Sequence, residues 1–152
     1  LIYIRKAETQ DASLLTGIKV RALGEQLKKW YGKSYKEEVL YEFMENELTL
    51  MKQYDVYKIL LNHEIIGGFL LDYFENNKAR IEDFVIDPMF QGNGYGLRVV
   101  QMMEKAHSDI KEWSLSTLYT SEDSQRFYER AGYIEEKRDA EEVWYRKVMK
   151  KE

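Results

Sequence analysis

The chain has 152 residues, 44% of them apolar and 14% aromatic, enough to enclose a sizeable core in a single domain over residues 1–152. A net charge of −4, with no lysine/arginine block longer than Lys150–Lys151, argues against nonspecific nucleic-acid binding, and the absence of cysteine excludes disulfides, thiolate metal sites and a cysteine nucleophile. No apolar run approaches the roughly 18 residues of a membrane span, and the opening LIYIRKAE is too short and too soon charged for a secretory signal, so a cytoplasmic location is expected.

Ile2, Tyr3 and Ile4 before Arg5 and Lys6 predict a short strand, and Thr9 is the expected cap of a helix from Gln10. That helix is expected to turn Leu14, Leu15, Ile18, Ala22 and Leu23 toward the core and to weaken over residues 24–32. A second helix is expected from Ser34, whose spacing to Glu37 makes a capping box, with Val39, Leu40, Phe43, Met44, Leu48 and Met51 as its apolar face.

From Val56 the pattern changes to strand. VYKILL and IIGGFLLDYF flank the polar turn Asn62-His63-Glu64, which predicts a hairpin, and Gly67-Gly68 predicts a bulge or a close backbone approach. After a turn at Asn76, Asn77 and Lys78, Arg80 to Ile86 is a further strand, stopped by Pro88. Leu97, Val99, Val100, Met103 and Ala106 make an apolar helix from Tyr95 to His107, followed by a strand around Trp113 to Tyr119. Ser121 is placed to cap a helix from Glu122 to Arg130 that Gly132 closes, and two strands, Tyr133 to Lys137 and Val143 to Met149, complete the chain. The expected fold is α/β, in the order β-α-α-β-β-β-α-β-α-β-β.

The segment IEDFVIDPMFQGNGYG, Ile81 to Gly96, joins a strand to a helix through a glycine-rich turn. Glycines let backbone approach a ligand closely, and the N–H groups opening the next helix favour an anion. The turn lacks the Lys-Ser/Thr ending of a nucleoside-triphosphate loop, and Leu97 stands where a dinucleotide fingerprint needs its third glycine.

A Q-x-x-G-x-G turn placed directly after a strand ending in Ile-Asp-Pro resembles the GNAT superfamily of acetyl-CoA-dependent N-acetyltransferases. SEDSQRFYERAGY, at Ser121 to Tyr133, is similar to the coenzyme-side helix of the same family, in the same order along the chain. The resemblance implies a GNAT-like twisted mixed sheet with helices on both faces, acetyl-CoA as cofactor with coenzyme A as product, and an amine acceptor, either a small molecule or a peptide. By the resemblance, Gln91, Gly92, Asn93, Gly94, Tyr95 and Gly96 hold the pyrophosphate, and the backbone of Phe84, Val85 and Ile86 faces the pantetheine arm. Ser121 and Ser124 lie on the coenzyme side, although Ser121 departs from the asparagine that the family often carries there. From the charge and the lack of a long apolar run, neither a nucleic-acid nor a membrane partner is expected, and a homodimer is compatible with the sequence.

Acetyl transfer to an amine needs a base for the amine, a polarised carbonyl and a proton for the departing thiolate. Glu82 is the candidate base. Alternation along the strand would place it on the face of Phe84 and Ile86, where burial would raise its pKa, and polyamine-type members of the family with a similar Glu-Asp-Phe carry a catalytic glutamate at this position. The alternative for Glu82 is an ion pair with Arg80 or with a neighbouring strand. Tyr128 is the candidate acid through its family counterpart, which protonates or hydrogen-bonds the sulfur; a packed tyrosine is the alternative. By helical spacing Ser121, Ser124 and Tyr128 share a stripe while Phe127 turns to the core. A backbone N–H near Val85 or Ile86 is expected to polarise the carbonyl. Without cysteine, direct attack in a ternary complex is expected rather than a cysteinyl acyl-enzyme.

His63 and His107 lack a third ligand in spacing, so no metal is expected. Trp30, Tyr31, Tyr35 and Tyr41 are either core or the wall of an acceptor pocket. Asp72, Glu75, Glu82 and Asp83 are either attractors of a cationic amine or ordinary surface charge. Arg98 is read as a surface arginine and Glu135 to Glu142 as a solvated connection. The rival in another class is a non-catalytic acyl-CoA-binding or regulatory module.

Overall fold

The computed structural model describes residues 1–32 and 37–150. The elements are β1 (Ile2–Lys6), α1 (Ala12–Tyr31), α2 (Glu37–Gln53), β2 (Asp55–Leu61), β3 (Glu64–Phe74), β4 (Lys78–Ile86), α3 (Tyr95–Ala106), β5 (Glu112–Leu118), α4 (Glu122–Arg130), β6 (Ile134–Arg138) and β7 (Glu142–Val148). Their order is the one expected from the sequence. The strands form one mixed sheet in the order β1-β2-β3-β4-β5-β7-β6, with β4 and β5 parallel and β1/β2, β5/β7 and β6/β7 antiparallel. Among the described residues no helix is long and apolar enough to cross a membrane.

The chain divides into two compact units, Leu1–Leu70 with Asp83–Gly96 and Leu71–Glu82 with Leu97–Glu152. In the first, β1 and β2 pair from Ile2 opposite Leu61 to Lys6 opposite Tyr57. Asn62 and His63, both with left-handed backbone, close the hairpin to β3, a tight two-residue connection that suits the twist of paired strands. Leu15, Val56 and Leu70 form a buried cluster with Leu50, Met51 and Tyr54 against it.

The entry to α1 differs from expectation. A single 3-10 turn, Thr9–Asp11, precedes the helix, and the Asp11 carboxylate accepts from the Glu8 N–H at 2.8 Å, so the cap is built around Glu8 rather than Thr9. Leu15 and Ile18 are buried as expected, but Leu14 is 60% exposed and Ala22 is also exposed, because the core face is set by Ala12, Leu15, Thr16, Ile18 and Leu27. The helix runs on to Tyr31 through Gly24 and ends at Gly32 with φ 90°. The Ser34–Glu37 capping box and Tyr35 lie outside the described residues. In α2, Val39 is buried and Phe43, Leu48 and Met51 are half-buried, while Leu40 and Met44 are exposed; Glu47 occupies the core-facing position that the apolar pattern skips.

Gly67 and Gly68 are sites of close approach. A β-carbon on Gly67 would stand 2.2 Å from the Val85 carbonyl oxygen, and one on Gly68 would stand 2.9 Å from both Leu15 Cδ2 and the Tyr57 carbonyl oxygen. In the second unit, Trp113 and Leu115 of β5 with Val143 and Tyr145 of β7 form a fully buried face. Tyr128 from α4 packs on Tyr145, and His107 at the end of α3 meets the Trp113 ring edge-on at 6.1 Å. Residues 135–141 are exposed, as expected, but Glu135 to Arg138 belong to β6 and the connection is confined to Asp139–Glu141, where the Asp139 carboxylate accepts from the N–H groups of Glu141 and Glu142.

Candidate active site

In the first unit the turn is built from its strand outward. Pro88 opens a short 3-10 turn, Pro88–Phe90, capped by Asp87, whose Oδ1 accepts from the Met89 N–H at 3.2 Å and whose Oδ2 takes Arg21 at 2.7 Å. Gln91 donates through Nε2 to the Ile86 carbonyl at 2.8 Å, and Asn93 donates through Nδ2 to the Phe90 carbonyl at 3.2 Å, so two side chains fold the loop on itself. Gly92 and Gly94 have φ of 83° and 80°, the region that suits glycine, and a β-carbon on either would meet nothing within 4 Å.

Each β-carbon would project into open space at the mouth of a helix. Helix α3 begins at Tyr95 with no acidic residue in its first turn, so its own first turn supplies no anion to its leading N–H groups and the positive end of its dipole. That chemistry fits the phosphate groups of a coenzyme. Asn93 is exposed, and Tyr95 and Gly96 are half-buried.

Strand β4 does not alternate regularly. Asp83 has φ 55°, left-handed backbone in a non-glycine residue, so the count of faces breaks there and Glu82 cannot be assigned to the face of Phe84 and Ile86 by parity. Phe84 stacks on Phe69 at 5.8 Å, Val85 is half-buried and Ile86 is buried. The Asp87 N–H donates to the Ile66 carbonyl at 2.7 Å, which holds the strand end to β3.

Glu82 belongs to the second unit and is not on a buried face; its side chain is 38% exposed. The Arg80 guanidinium donates to Glu82 Oε1 at 2.9 Å and to Ser116 Oγ at 2.8 Å, and Ser116 donates to Glu142 Oε1 at 3.3 Å. The ion pair with Arg80 is therefore formed. It fixes one carboxylate oxygen without enclosing the group.

On α4 the positions of neighbouring aromatics are the reverse of the spacing argument: Tyr128 is buried and Phe127 is half-buried. The Tyr128 ring meets Phe127 edge-on at 4.9 Å and Tyr133 at 5.9 Å. Burial pushes the Tyr128 hydroxyl well above its ordinary pKa, so the phenol keeps its proton across the physiological range. Ser121 is the N-cap, but its hydroxyl donates to Ser124 Oγ at 2.9 Å instead of capping a backbone N–H.

Three features were not anticipated by the motifs. Lys19 joins Glu47 and Asp83; Glu104 joins Tyr133 and Lys147; and Arg21 joins Asp87. The available signal for the first was a glutamate interrupting the apolar stripe of α2. Trp30, Tyr31 and Tyr41 are exposed rather than core, and Arg98 is exposed. His63 pairs with the Tyr3 hydroxyl, His107 with the Met103 carbonyl, and no metal-holding cluster occurs among the described residues.

Comparison with solved structures supports the fold. The PaiA N-acetyltransferase from Thermoplasma acidophilum, in complex with coenzyme A, superposes with a TM-score of 0.77 at 19% identity, covering 98% of this chain and 99% of that one. An acetyltransferase from Thermus thermophilus gives a TM-score of 0.81 at 15% identity, with 97% of each chain covered. RimL, a ribosomal L7/L12 alpha-N-protein acetyltransferase in complex with coenzyme A, gives 0.72 at 16% identity, covering 97% of this chain and 94% of that one. No match is found among curated protein sequences. A sequence model described as the acetyltransferase (GNAT) family matches residues 21–133, most of the chain and the whole of both motifs, and the chain belongs to that family.

Proposed function

We propose that this protein transfers an acetyl group from acetyl-CoA to a primary amine by direct attack in a ternary complex. The observation that carries the reading is the turn at Gln91 to Gly96, with two left-handed glycines open to space at the N-terminus of an amphipathic helix. The coenzyme, when bound, supplies the acetyl group as an activated thioester. The backbone of Gln91 to Gly96 holds its pyrophosphate, the strand-end backbone of Phe84 to Ile86 holds the pantetheine arm, and Ser121 and Ser124 lie along it.

Glu82 serves as the base, accepting a proton from the acceptor amine while Arg80 steadies its Oε1. A backbone N–H near Val85 or Ile86 steadies negative charge on the carbonyl oxygen. Tyr128, kept protonated by burial, would donate a hydrogen bond to the leaving sulfur and steady its developing negative charge while retaining its own proton.

The test has two steps. Coenzyme A is expected to raise Tm, since a ligand bound only by the native state stabilises it, and no shift at millimolar coenzyme would end the proposal. Thiol release across a panel of amines then separates an enzyme from an acyl-CoA-binding module. Tyr128→Phe is expected to lower kcat by roughly 10²-fold with little change in coenzyme affinity, and an unaltered kcat would remove Tyr128 from the mechanism.

A further inference from the structure

Arg80, Glu82, Ser116 and Glu142 make one chain of contacts inside the second unit. Arg80 and Glu82 stand two residues apart on β4 and share a face of the strand. On β5, parallel to it, Ser114 lies opposite Arg80, which brings Ser116 onto the same face one step further along. Glu142 of β7, opposite Leu118, lies diagonal to Ser116.

The Arg80 Nε donates to Glu82 Oε1 at 2.9 Å and its Nη2 to Ser116 Oγ at 2.8 Å. Nε and Nη2 form one edge of the guanidinium, the fork that ordinarily grips both oxygens of a single carboxylate. Here the fork is divided. Its second prong goes to a hydroxyl, and Glu82 Oε2 has no protein partner among the described residues, on a side chain that is 38% exposed. A guanidinium has no acceptor, so the Ser116 hydroxyl receives from Arg80 and must send its own proton elsewhere. That proton goes to Glu142 Oε1 at 3.3 Å. The contact is long for a bond from a hydroxyl to a carboxylate, which makes Glu142 the lesser of the two supports.

We propose that Ser116 is a positioning residue: by occupying Arg80 Nη2 it keeps the arginine from closing on both oxygens of Glu82, and so leaves Oε2 to accept a proton from the attacking amine. Glu142 assists by drawing off the Ser116 proton, which turns the hydroxyl lone pairs to Arg80. This rests on the reading of Glu82 as the base of an acetyltransferase. A carboxylate gripped through both oxygens has its lone pairs committed and is a poorer proton acceptor, whereas one held by a single oxygen is oriented and still available.

Ser116→Ala releases Nη2 while Nε already sits on Oε1, so little movement is needed to add the second bond. A crystal structure of this variant is expected to show Arg80 Nη2 on Glu82 Oε2. With whichever amine gives the fastest thiol release across a panel, its kcat is expected to fall roughly tenfold, with Tm and the KM for acetyl-CoA little changed. Ser116→Thr keeps the hydroxyl on a residue suited to a strand and is expected to recover most of the lost kcat. Glu142→Ala is expected to lose less than Ser116→Ala. In an Arg80→Gln background, where no fork remains to close, Ser116→Ala is expected to cost nothing further.

An Arg80 guanidinium that stays in place, or leaves Glu82, in the structure of Ser116→Ala would overturn the inference, as would a tenfold loss that persists in Ser116→Thr or recurs in the Arg80→Gln background. The two readings fail separately. If Arg80 closes on Glu82 in Ser116→Ala but Glu82→Gln releases thiol as fast as the parent protein, the divided fork stands and the base assignment falls. If Glu82→Gln loses activity while Ser116→Ala keeps it, the base assignment stands and the role of Ser116 falls.

Discussion

The Tyr133 hydroxyl donates to Glu104 Oε2 at 2.8 Å, deep beside the helix that carries Tyr128. The other oxygen of Glu104 takes Lys147 at 2.9 Å, and the same ammonium donates to the Ala131 carbonyl at 2.9 Å just past the end of α4. Lys147 is thus counter-ion to a buried carboxylate and a cation at a helix C-terminus. Its stem crosses Gly132, where φ is 95° and a β-carbon would lie 3.3 Å from Lys147 Cε. The Tyr133 N–H completes the corner by donating to the Tyr128 carbonyl at 3.0 Å.

Lys147→Met is expected to destabilise the fold by about 2 kcal/mol, below the roughly 3–5 of a fully buried pair because the lysine side chain keeps 23% exposure. Replacing all three partners, with Lys147→Met, Glu104→Met and Tyr133→Phe together, is expected to recover most of that loss, since no buried charge or donor is then stranded. Urea midpoints of the single and triple variants check both statements. A triple variant less stable than Lys147→Met would show that the ion pair stabilises the native state outright.

Gly67 supplies a sharper steric test. The neighbour that its β-carbon would meet at 2.2 Å is backbone, the Val85 carbonyl oxygen, which cannot swing aside as a side chain would. Gly67→Ala is expected to cost about 3 kcal/mol or more. It is also expected to weaken coenzyme binding, because the displaced strand end is the segment assigned to the pantetheine arm. A urea midpoint within error of the parent protein would contradict the close approach.

Much of this arrangement was legible before any coordinates. Apolar periodicity and glycine or asparagine turns located the strands and helices in their order, because those signals are local. The two motifs were legible for the same reason, each being a contiguous stretch whose residues serve one loop or one helix. What stayed hidden was non-local or depended on one backbone angle. The left-handed φ of Asp83 breaks the alternation on which the placement of Glu82 depended, and an aspartate in a strand carries no mark of it. Tyr128 and Phe127 are adjacent, and helical spacing pointed to Phe127 as the core residue, whereas it is Tyr128 that is buried against Tyr145. Lys19, Glu47 and Asp83 come from three elements far apart in sequence, and only Glu47, a charge set in an apolar stripe, left a trace.

At high pH the buried phenols dominate. Burial raises the pKa of Tyr128, and burial followed by the neighbouring Glu104 raises that of Tyr133, above the value of about 10 that each has in an unfolded chain. A group whose folded pKa is raised contributes stability that is complete below the unfolded pKa and declines as pH rises past it. Stability is therefore expected to fall above about pH 10, and Tyr128→Phe and Tyr133→Phe are each expected to flatten that fall. Phenolate absorbance in an alkaline titration checks it: ionisation of both phenols below the unfolding transition would refute the burial argument.

At low pH the pair to watch is Arg21 and Asp87. The Arg21 guanidinium, bonded to Asp87 Oδ2 at 2.7 Å, holds the carboxyl below the ordinary range; burial pushes the other way, and the Met89 N–H adds to the lowering. A depressed folded pKa gives stability that is present above the unfolded value, about 3.9, and is lost as pH falls toward the folded one. The stability gap between the parent protein and Asp87→Asn is therefore expected to be constant above about pH 5 and to close below about pH 4. Arg21→Gln is expected to close part of that gap at neutral pH as well, because it removes the larger cause and leaves the Met89 bond. Because Asp87 caps the turn that leads into Gln91, Asp87→Asn is also expected to weaken the Tm shift given by coenzyme A at neutral pH. A gap that stays open through acid unfolding would mean that Asp87 acts through packing and capping rather than through its charge.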